Sequence, residues 1–320
     1  MDALKEYIRE SFTCLATHGY MVLDLVRLQY FTLDEIMDMQ KMCMDDYYSY
    51  FTDRGISEEE LLIDLSKEMG ENKYFKQPRD SDMFKAMYGN TTKDGIEYIN
   101  TRSPANATNC GMGSATSQMK TYFNSKMNAY RERLRPLMKA LYGSPVKRHL
   151  SRFGLKLPPS KDMQLHTDMS YIMDYRNDPP PPREADDAIS YHAFSNDGKA
   201  QRYQMIIALN DSEAGWYGYP GAHLKYDEIG DNIKWPGKTR TVQTVPPQLM
   251  KDIELSRIDI PSKIGQAVIW NCGIPHGNTK CCKIPRLTLY VNYQPDKTDT
   301  VADTIIGLGN QPKGGKGYAK

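Results

Sequence analysis

The sequence predicts a mainly β protein with a helical layer, a sandwich or jelly roll packed against helices. Three observations carry this. The N-terminal half spaces its apolar residues at helical period. From about residue 149 the pattern changes to short β-like runs separated by turn-rich stretches. The chain has 320 residues, 40% hydrophobic and 25% charged, enough to bury a closed barrel plus a helical layer.

Leu4, Tyr7, Ile8, Ser11, Phe12 and Leu15 recur at helical spacing, and Gly19 ends the pattern before a short strand at 20–23. Thr32 and Glu35 form a capping box, which opens a helix with Leu33, Ile36, Met37, Met44, Tyr47 and Tyr48 on one side. Ser57 and the glutamates after it repeat the signal. Residues 70–115, rich in Gly, Asn, Thr and Ser, are expected to be loops with a strand or two. One long helix is expected through Met119, Met127 and Leu134, kinked or stopped by Pro136. Its Met and Tyr stripe is core packing. The β-like runs are 149–157, 163–166, 188–194, 203–210, 255–260, 266–271 and 286–293. The organisation expected is a single domain over 1–305. Within it, 1–145 is the mostly helical support and 146–300 the barrel core, with lid insertions at about 174–200 and 224–254. Residues 306–320, rich in Gly and Lys, form a flexible tail.

A formal charge of +1 gives no overall field for nucleic acid or an anionic membrane. The six cysteines lack paired CxxC spacing, which argues against a structural zinc site. The N-terminus lacks an apolar leader core, and no run reaches bilayer-spanning length. The expectation is a soluble cytoplasmic protein with reduced thiols; oligomeric state is left open.

Two distant segments supply one constellation. His166 and Asp168 are two apart, so on a strand they share a face. His276 follows the buried-looking run Ala267-Val268-Ile269-Trp270, in a turn that presents the imidazole at a barrel mouth. Two imidazoles and one carboxylate hold a redox-active iron on one face and leave the other open. Arg286, ten residues after His276, opens a strand and shares a face with Thr288. A guanidinium and a hydroxyl together suit one carboxylate of a co-substrate. Singly, each element has an ordinary reading: a chance H-x-D, a turn histidine, a surface charge. The ordered set is more specific. His223, after Pro220-Gly221, is read as structural, and Cys281-Cys282 as neither disulfide nor nucleophile.

With these residues the chain resembles the Fe(II)/2-oxoglutarate-dependent dioxygenases, in particular the phytanoyl-CoA dioxygenase-like branch. The run from Tyr203 to Asp211 resembles the strand and turn that follow H-x-D in that family. The stretch Gly215 to His223 resembles its Gly…Pro-Gly-Ser-His segment, with Ala222 for the usual Ser. Ile264 to Trp270 resembles the strand before the distal His, with Gln266 for the usual Asp, and Gly19 to Leu23 resembles the N-terminal entry. The likeness is firm over 160–295 and weaker over 10–70.

The resemblance implies a double-stranded β-helix, a jelly-roll or cupin-like barrel backed by helices. It implies His166, Asp168 and His276 as iron ligands. Arg286, helped by Thr288, would hold the distal carboxylate of 2-oxoglutarate, with Asn278 at the co-substrate and Ile206 as an apolar wall. The implied cofactors are Fe(II), 2-oxoglutarate and O2, and the implied outcome is hydroxylation of an unidentified small molecule or side chain with release of succinate and CO2. A carboxylate at Asp168, where halogenating relatives carry Gly or Ala, argues for hydroxylation or a related oxidation such as desaturation. The alternative is a non-catalytic structural or interaction protein with a vestigial metal pocket. A cupin-type metal site without 2-oxoglutarate is a further one, and Arg286 with Thr288 argues against it.

Overall fold

The computed structural model describes residues 2–52, 63–68, 92–93, 96–97, 121, 124–143, 145–148, 152–156, 158, 162–167, 202–233 and 243–296. The strands are β1 (Tyr20–Asp24), β2 (Thr92–Lys93), β3 (Ile96–Glu97), β4 (Val146–Arg148), β5 (Arg152–Lys156), β6 (His166–Thr167) and β7 (Tyr203–Ala208). They continue with β8 (Ser212–Gly218), β9 (Gln243–Thr244), β10 (Ile258–Ser262), β11 (Gln266–Asn271), β12 (His276–Asn278), β13 (Arg286–Tyr290) and β14 (Tyr293–Pro295). The helices used below are α1 (Asp2–His18), α2 (Leu33–Thr52), α3 (Ser125–Glu132), α4 (Arg135–Tyr142), α5 (Tyr226–Asp231) and α6 (Pro247–Asp252).

Two five-stranded antiparallel sheets form the body. The major sheet runs β1-β11-β7-β13-β5 and the minor sheet β10-β8-β12-β6-β9. Alternation with period two divides every strand of the major sheet. Met21, Leu23, Met205, Ile207, Ala267, Ile269, Leu287 and Leu289 belong to one core, which they share with Phe12, Ile36, Met127 and Met138 of the helices. The residues between them turn inward: Val22, Ile206, Val268, Trp270 and Tyr290 meet Trp216 and Ile260 of the minor sheet. Tyr217 packs on the other side of the minor sheet with Ile229, Leu249 and Met250. The result is a double-stranded β-helix backed by helices, the fold class expected. At about 1.5–3 kcal/mol per fully buried large apolar side chain, the helix-facing core dominates the stabilisation.

Local chemistry sets the boundaries. Gly19, at φ +78°, ends α1 with its N–H on the Leu15 carbonyl at 2.9 Å. The capping box forms as expected: the Thr32 N–H donates to Glu35 Oε2 at 3.0 Å and the Glu35 N–H to Thr32 Oγ1 at 3.2 Å. The helix expected through Met127 and Leu134 ends at Glu132 and a second opens at Arg135, the break falling beside Pro136 where a kink or stop was expected; Met119 lies outside the described residues. Asn124 caps α3 through a 2.9 Å bond from the Met127 N–H, and Pro136 sits in the first turn of α4, where its missing N–H costs nothing.

Three further differences concern strands. The run expected at 163–166 is a strand only at His166–Thr167. Ser212–Gly218, which carries Gly215 and Gly218, is a full strand of the minor sheet. His276 opens β12 and does not lie in the preceding turn. The expected capping signal at Ser57, the run 188–194, the 174–200 insertion and the tail lie outside the described residues. The 224–254 insertion contributes α5, α6 and β9. Among the described residues no helix is long and apolar enough to cross a membrane.

Candidate active site

The site begins with one ladder. β6 and β12 are antiparallel, and His166 and His276 are partners in register. Partners directly opposite put their side chains on one face about 5 Å apart. The two imidazole centroids lie 4.6 Å apart with the rings tilted by 47°, and both residues are buried. Spacing along the sequence cannot reveal this pairing.

Both rings are oriented in the same way. His166 Nδ1 lies 2.8 Å from the Gln164 carbonyl, and His276 Nδ1 lies 2.8 Å from the Ile274 carbonyl. A carbonyl only accepts, so each Nδ1 carries the proton, and the neutral ring has its lone pair on Nε2. That tautomer is the one a metal-binding histidine needs. Asp168 lies outside the described residues. Among those residues the site shows two imidazoles and no cluster of three His, Cys, Asp or Glu side chains.

A two-residue strand needs outside support, and β6 has it. The Met163 N–H donates to the Asn278 carbonyl at 2.8 Å and the Val245 N–H to the Leu165 carbonyl at 2.9 Å. The Tyr217 hydroxyl donates to the Met163 carbonyl at 2.5 Å. Arg257 ties Asp162 at 2.6 Å while standing over the Tyr217 ring. On the other flank of β12, Gly218 pairs with His276. A Cβ on Gly218 would fall 2.1 Å from the Trp216 ring. Glycine therefore lets that indole lie across the strand and stack on His276, at 6.3 Å and 17°. Trp270 packs against the same imidazole, with centroids 5.0 Å apart, and lies 5.8 Å from Trp216.

Arg286 is the second component. It is wholly buried, and its side chain crosses from the major to the minor sheet. Nε donates to Ser262 Oγ at 3.1 Å and Nη1 to Asn278 Oδ1 at 2.8 Å. Nη2 is buried and has no partner. Burial lowers the pKa of this arginine from its ordinary value, against smaller opposing contributions from Tyr290 and Cys281. Its neighbour in register on β5 is Lys156, also wholly buried, whose Nζ donates to the Thr279 carbonyl at 2.5 Å. Two cations thus share one end of the interior, and no carboxylate among the described residues forms an ion pair with Arg286. A buried guanidinium with an open donor calls for an anion.

Arg286 and Thr288 share a face as expected, but they bond separately: the Thr288 hydroxyl donates to the Gly154 carbonyl at 3.4 Å. Asn278, expected at the co-substrate, bonds Arg286 directly and fixes the guanidinium. Ile206 and Thr288 line one hollow between the sheets, with Trp216, Ser262 and Val268. A second hollow is lined by Met163, His166, Trp270, His276, Asn278 and Tyr290; Trp216 borders both. Sequence reasoning missed Ser262, Lys156 and the two tryptophans. A serine on a partner strand carries no signal, and the tryptophans read as ordinary core.

The remaining candidates stay outside the site. His223 Nε2 faces the Ala16 carbonyl at 3.2 Å, a structural role. Neither Cys281 nor Cys282 is in a disulfide, and burial pushes the Cys281 thiol up to about 12, so that thiol is not an activated nucleophile.

No family model and no curated protein matches the chain. Among solved structures it is similar to AviO1 from Streptomyces viridochromogenes Tue57, at 15% identity and a TM-score of 0.47, over 91% of this chain and 96% of that one. It is also similar to EctD from S. alaskensis, solved with 2-oxoglutarate and 5-hydroxyectoine, at 14% identity and a TM-score of 0.46, over 89% and 75%. The non-heme alpha ketoglutarate dependent epimerase SnoN from nogalamycin biosynthesis matches at 12% identity and a TM-score of 0.42, over 91% and 83%. The chemistry is argued from this chain's own side chains.

Proposed function

We propose that this protein is a non-haem Fe(II)- and 2-oxoglutarate-dependent dioxygenase that hydroxylates a substrate not yet identified. One juxtaposition carries the reading. Two imidazoles face each other across a ladder, each with its Nδ1 proton on a carbonyl, and they share an interior with a buried guanidinium whose Nη2 is open. The donor types fit the group: the two imidazoles, with the carboxylate of Asp168 two residues beyond His166 in the sequence, are the ligands that would hold such an iron. When bound, iron and 2-oxoglutarate supply the oxidising chemistry, with release of succinate and CO2 and transfer of oxygen to a C–H bond.

The chain holds, orients and shields. His166, His276 and Asp168 hold the iron. Arg286 holds the distal carboxylate of the co-substrate, with Asn278 and Ser262 fixing the fork before the ligand arrives. Thr288 and Ile206 form the wall beside the carbon chain. The tryptophans and Val268 exclude water, which strengthens each charge interaction inside.

The test is an anaerobic titration with Fe(II) and then 2-oxoglutarate. A working site develops a visible charge-transfer band, and His166→Ala abolishes it. Wild-type protein that takes up neither component would be a barrel with a vestigial pocket, and the oxygenase reading would fall.

A further inference from the structure

Arg152 has no place in the machinery above. It sits on β5, the outer strand of the major sheet, in register with Tyr290. Phe153 and Leu155, one and three residues further along β5, face the helices, so Arg152 turns inward. Its guanidinium carbon stands 5.0 Å from the centre of the Tyr290 ring, and it lines the same hollow as His166 and His276. Nε is buried without a partner, and so is the indole Nε1 of Trp270, which lines that hollow too. No carboxylate among the described residues pairs with Arg152.

Two anion demands therefore exist at two depths. Arg286 is wholly enclosed, whereas Arg152 is partly exposed. Tyr290, level with Arg152, is four residues from Arg286 along β13, about 13 Å at strand rise. The unpartnered side-chain atoms of residues that line the two hollows, Arg152 Nε, Trp216 Nε1 and Trp270 Nε1, are all donors, and so is Nη2 of Arg286. Such an interior suits oxyanions, and a partly open cation beside the histidines is reachable after the deep one is taken. Met163, Tyr290 and Trp270 supply apolar surface beside it.

We propose that Arg152, with the Trp270 indole, recognises an oxyanion, carboxylate or phosphate, carried by the substrate on an apolar body. This rests on the oxygenase reading and names the substrate class for it.

The test uses the full chain with Zn(II) in place of iron and saturating 2-oxoglutarate, so that nothing turns over. Hexanoate, hexyl phosphate and hexanol are titrated against tryptophan fluorescence. One or both oxyanions are expected to bind at least about tenfold more tightly than hexanol, the scale of a charge-assisted hydrogen bond. The better of the two assigns carboxylate or phosphate. Arg152→Met should erase the preference and Arg152→Lys keep most of it, with 2-oxoglutarate affinity within about twofold of wild type in both. No preference in wild type, or one that survives Arg152→Met, overturns the proposal. So does an Arg152→Met variant that weakens 2-oxoglutarate as severely as Arg286→Ala, because Arg152 then serves the co-substrate. Wild-type protein that fails to bind 2-oxoglutarate sinks the oxygenase reading by itself. The same probes without co-substrate, on Arg152→Met and Arg286→Ala, then decide whether oxyanion preference follows Arg152.

Discussion

The two faces of the major sheet are made by the same strands and have opposite chemistry. On β13, Leu287 and Leu289 pack against the helices, while Arg286, Thr288 and Tyr290 face the interior. One face is a continuous apolar layer. The other holds a buried cation, hydroxyls and unpartnered donors. Stability and chemistry are thus written on alternate residues, and single substitutions one position apart should separate them.

The largest expected effect lies on the inner side. His166→Ala removes one of the paired imidazoles, and iron-dependent succinate formation should fall to background. Retained turnover at the wild-type rate would refute the ligand assignment. Arg286→Met comes next. Breaking a buried charge contact of this kind costs about 2–5 kcal/mol of binding, so 2-oxoglutarate affinity measured by calorimetry should fall at least about thirtyfold. Without ligand, the same variant should be as stable as wild type or more so, because an apolar side chain replaces an incompletely paired buried charge. A clear loss of ligand-free stability would mean that the guanidinium is a structural strut and would break the comparison.

One residue along, Leu287→Ala should do the reverse. A buried leucine reduced to alanine costs about 2–5 kcal/mol, to be read from denaturant unfolding, while the folded fraction keeps its 2-oxoglutarate affinity within about threefold. Asn278→Ala is a milder version of the arginine variant. It leaves Arg286 charged but loosens its fork, so 2-oxoglutarate should bind about tenfold more weakly with iron affinity little changed.

Parity was the part of the site legible in the sequence. Alternation placed Arg286 and Thr288 together, because residues two apart on a strand share a face, and the strand at 266–271 was legible as a short apolar run between turn-rich stretches. The capping box and the Gly19 stop were legible because they are local. Pairing was not. That His166 meets His276, and that Arg286 reaches Ser262 and Asn278, depends on which strands are neighbours. β8 was hidden for another reason. Its glycines suggest a loop, yet they are close-approach positions: a Cβ on Gly215 would fall 1.7 Å from the Ile260 carbonyl oxygen of β10. Glycine there lets two strands and a tryptophan pack, and a propensity scale reads that as weak strand.

The smallest predicted effect separates the two paired histidines from a third buried one. His223 also has one ring nitrogen on a carbonyl, that of Ala16, but its Nδ1 is buried with no partner. A Cβ on Gly19 would lie 2.5 Å from that Nδ1, so Gly19 leaves just enough room for the ring. Protonation would put a second proton on Nδ1 where nothing accepts it. Burial accordingly lowers the His223 pKa from 6.5, against a smaller opposing effect of the Ala16 bond and a minor lowering by His18. With the folded-state pKa below the unfolded one, the unfolded chain binds more protons in the window between them. The stability from His223 is therefore complete above about pH 6.5 and is lost as pH falls toward the folded-state value. Metal-free protein should therefore show a lower Tm at pH 5.5 than at pH 7.5. His223→Gln, which can still donate to the Ala16 carbonyl, should flatten that slope without changing 2-oxoglutarate affinity. If the slope persists in the variant, His223 is not the source of the acid sensitivity, and burial of its unpartnered Nδ1 does not limit the fold.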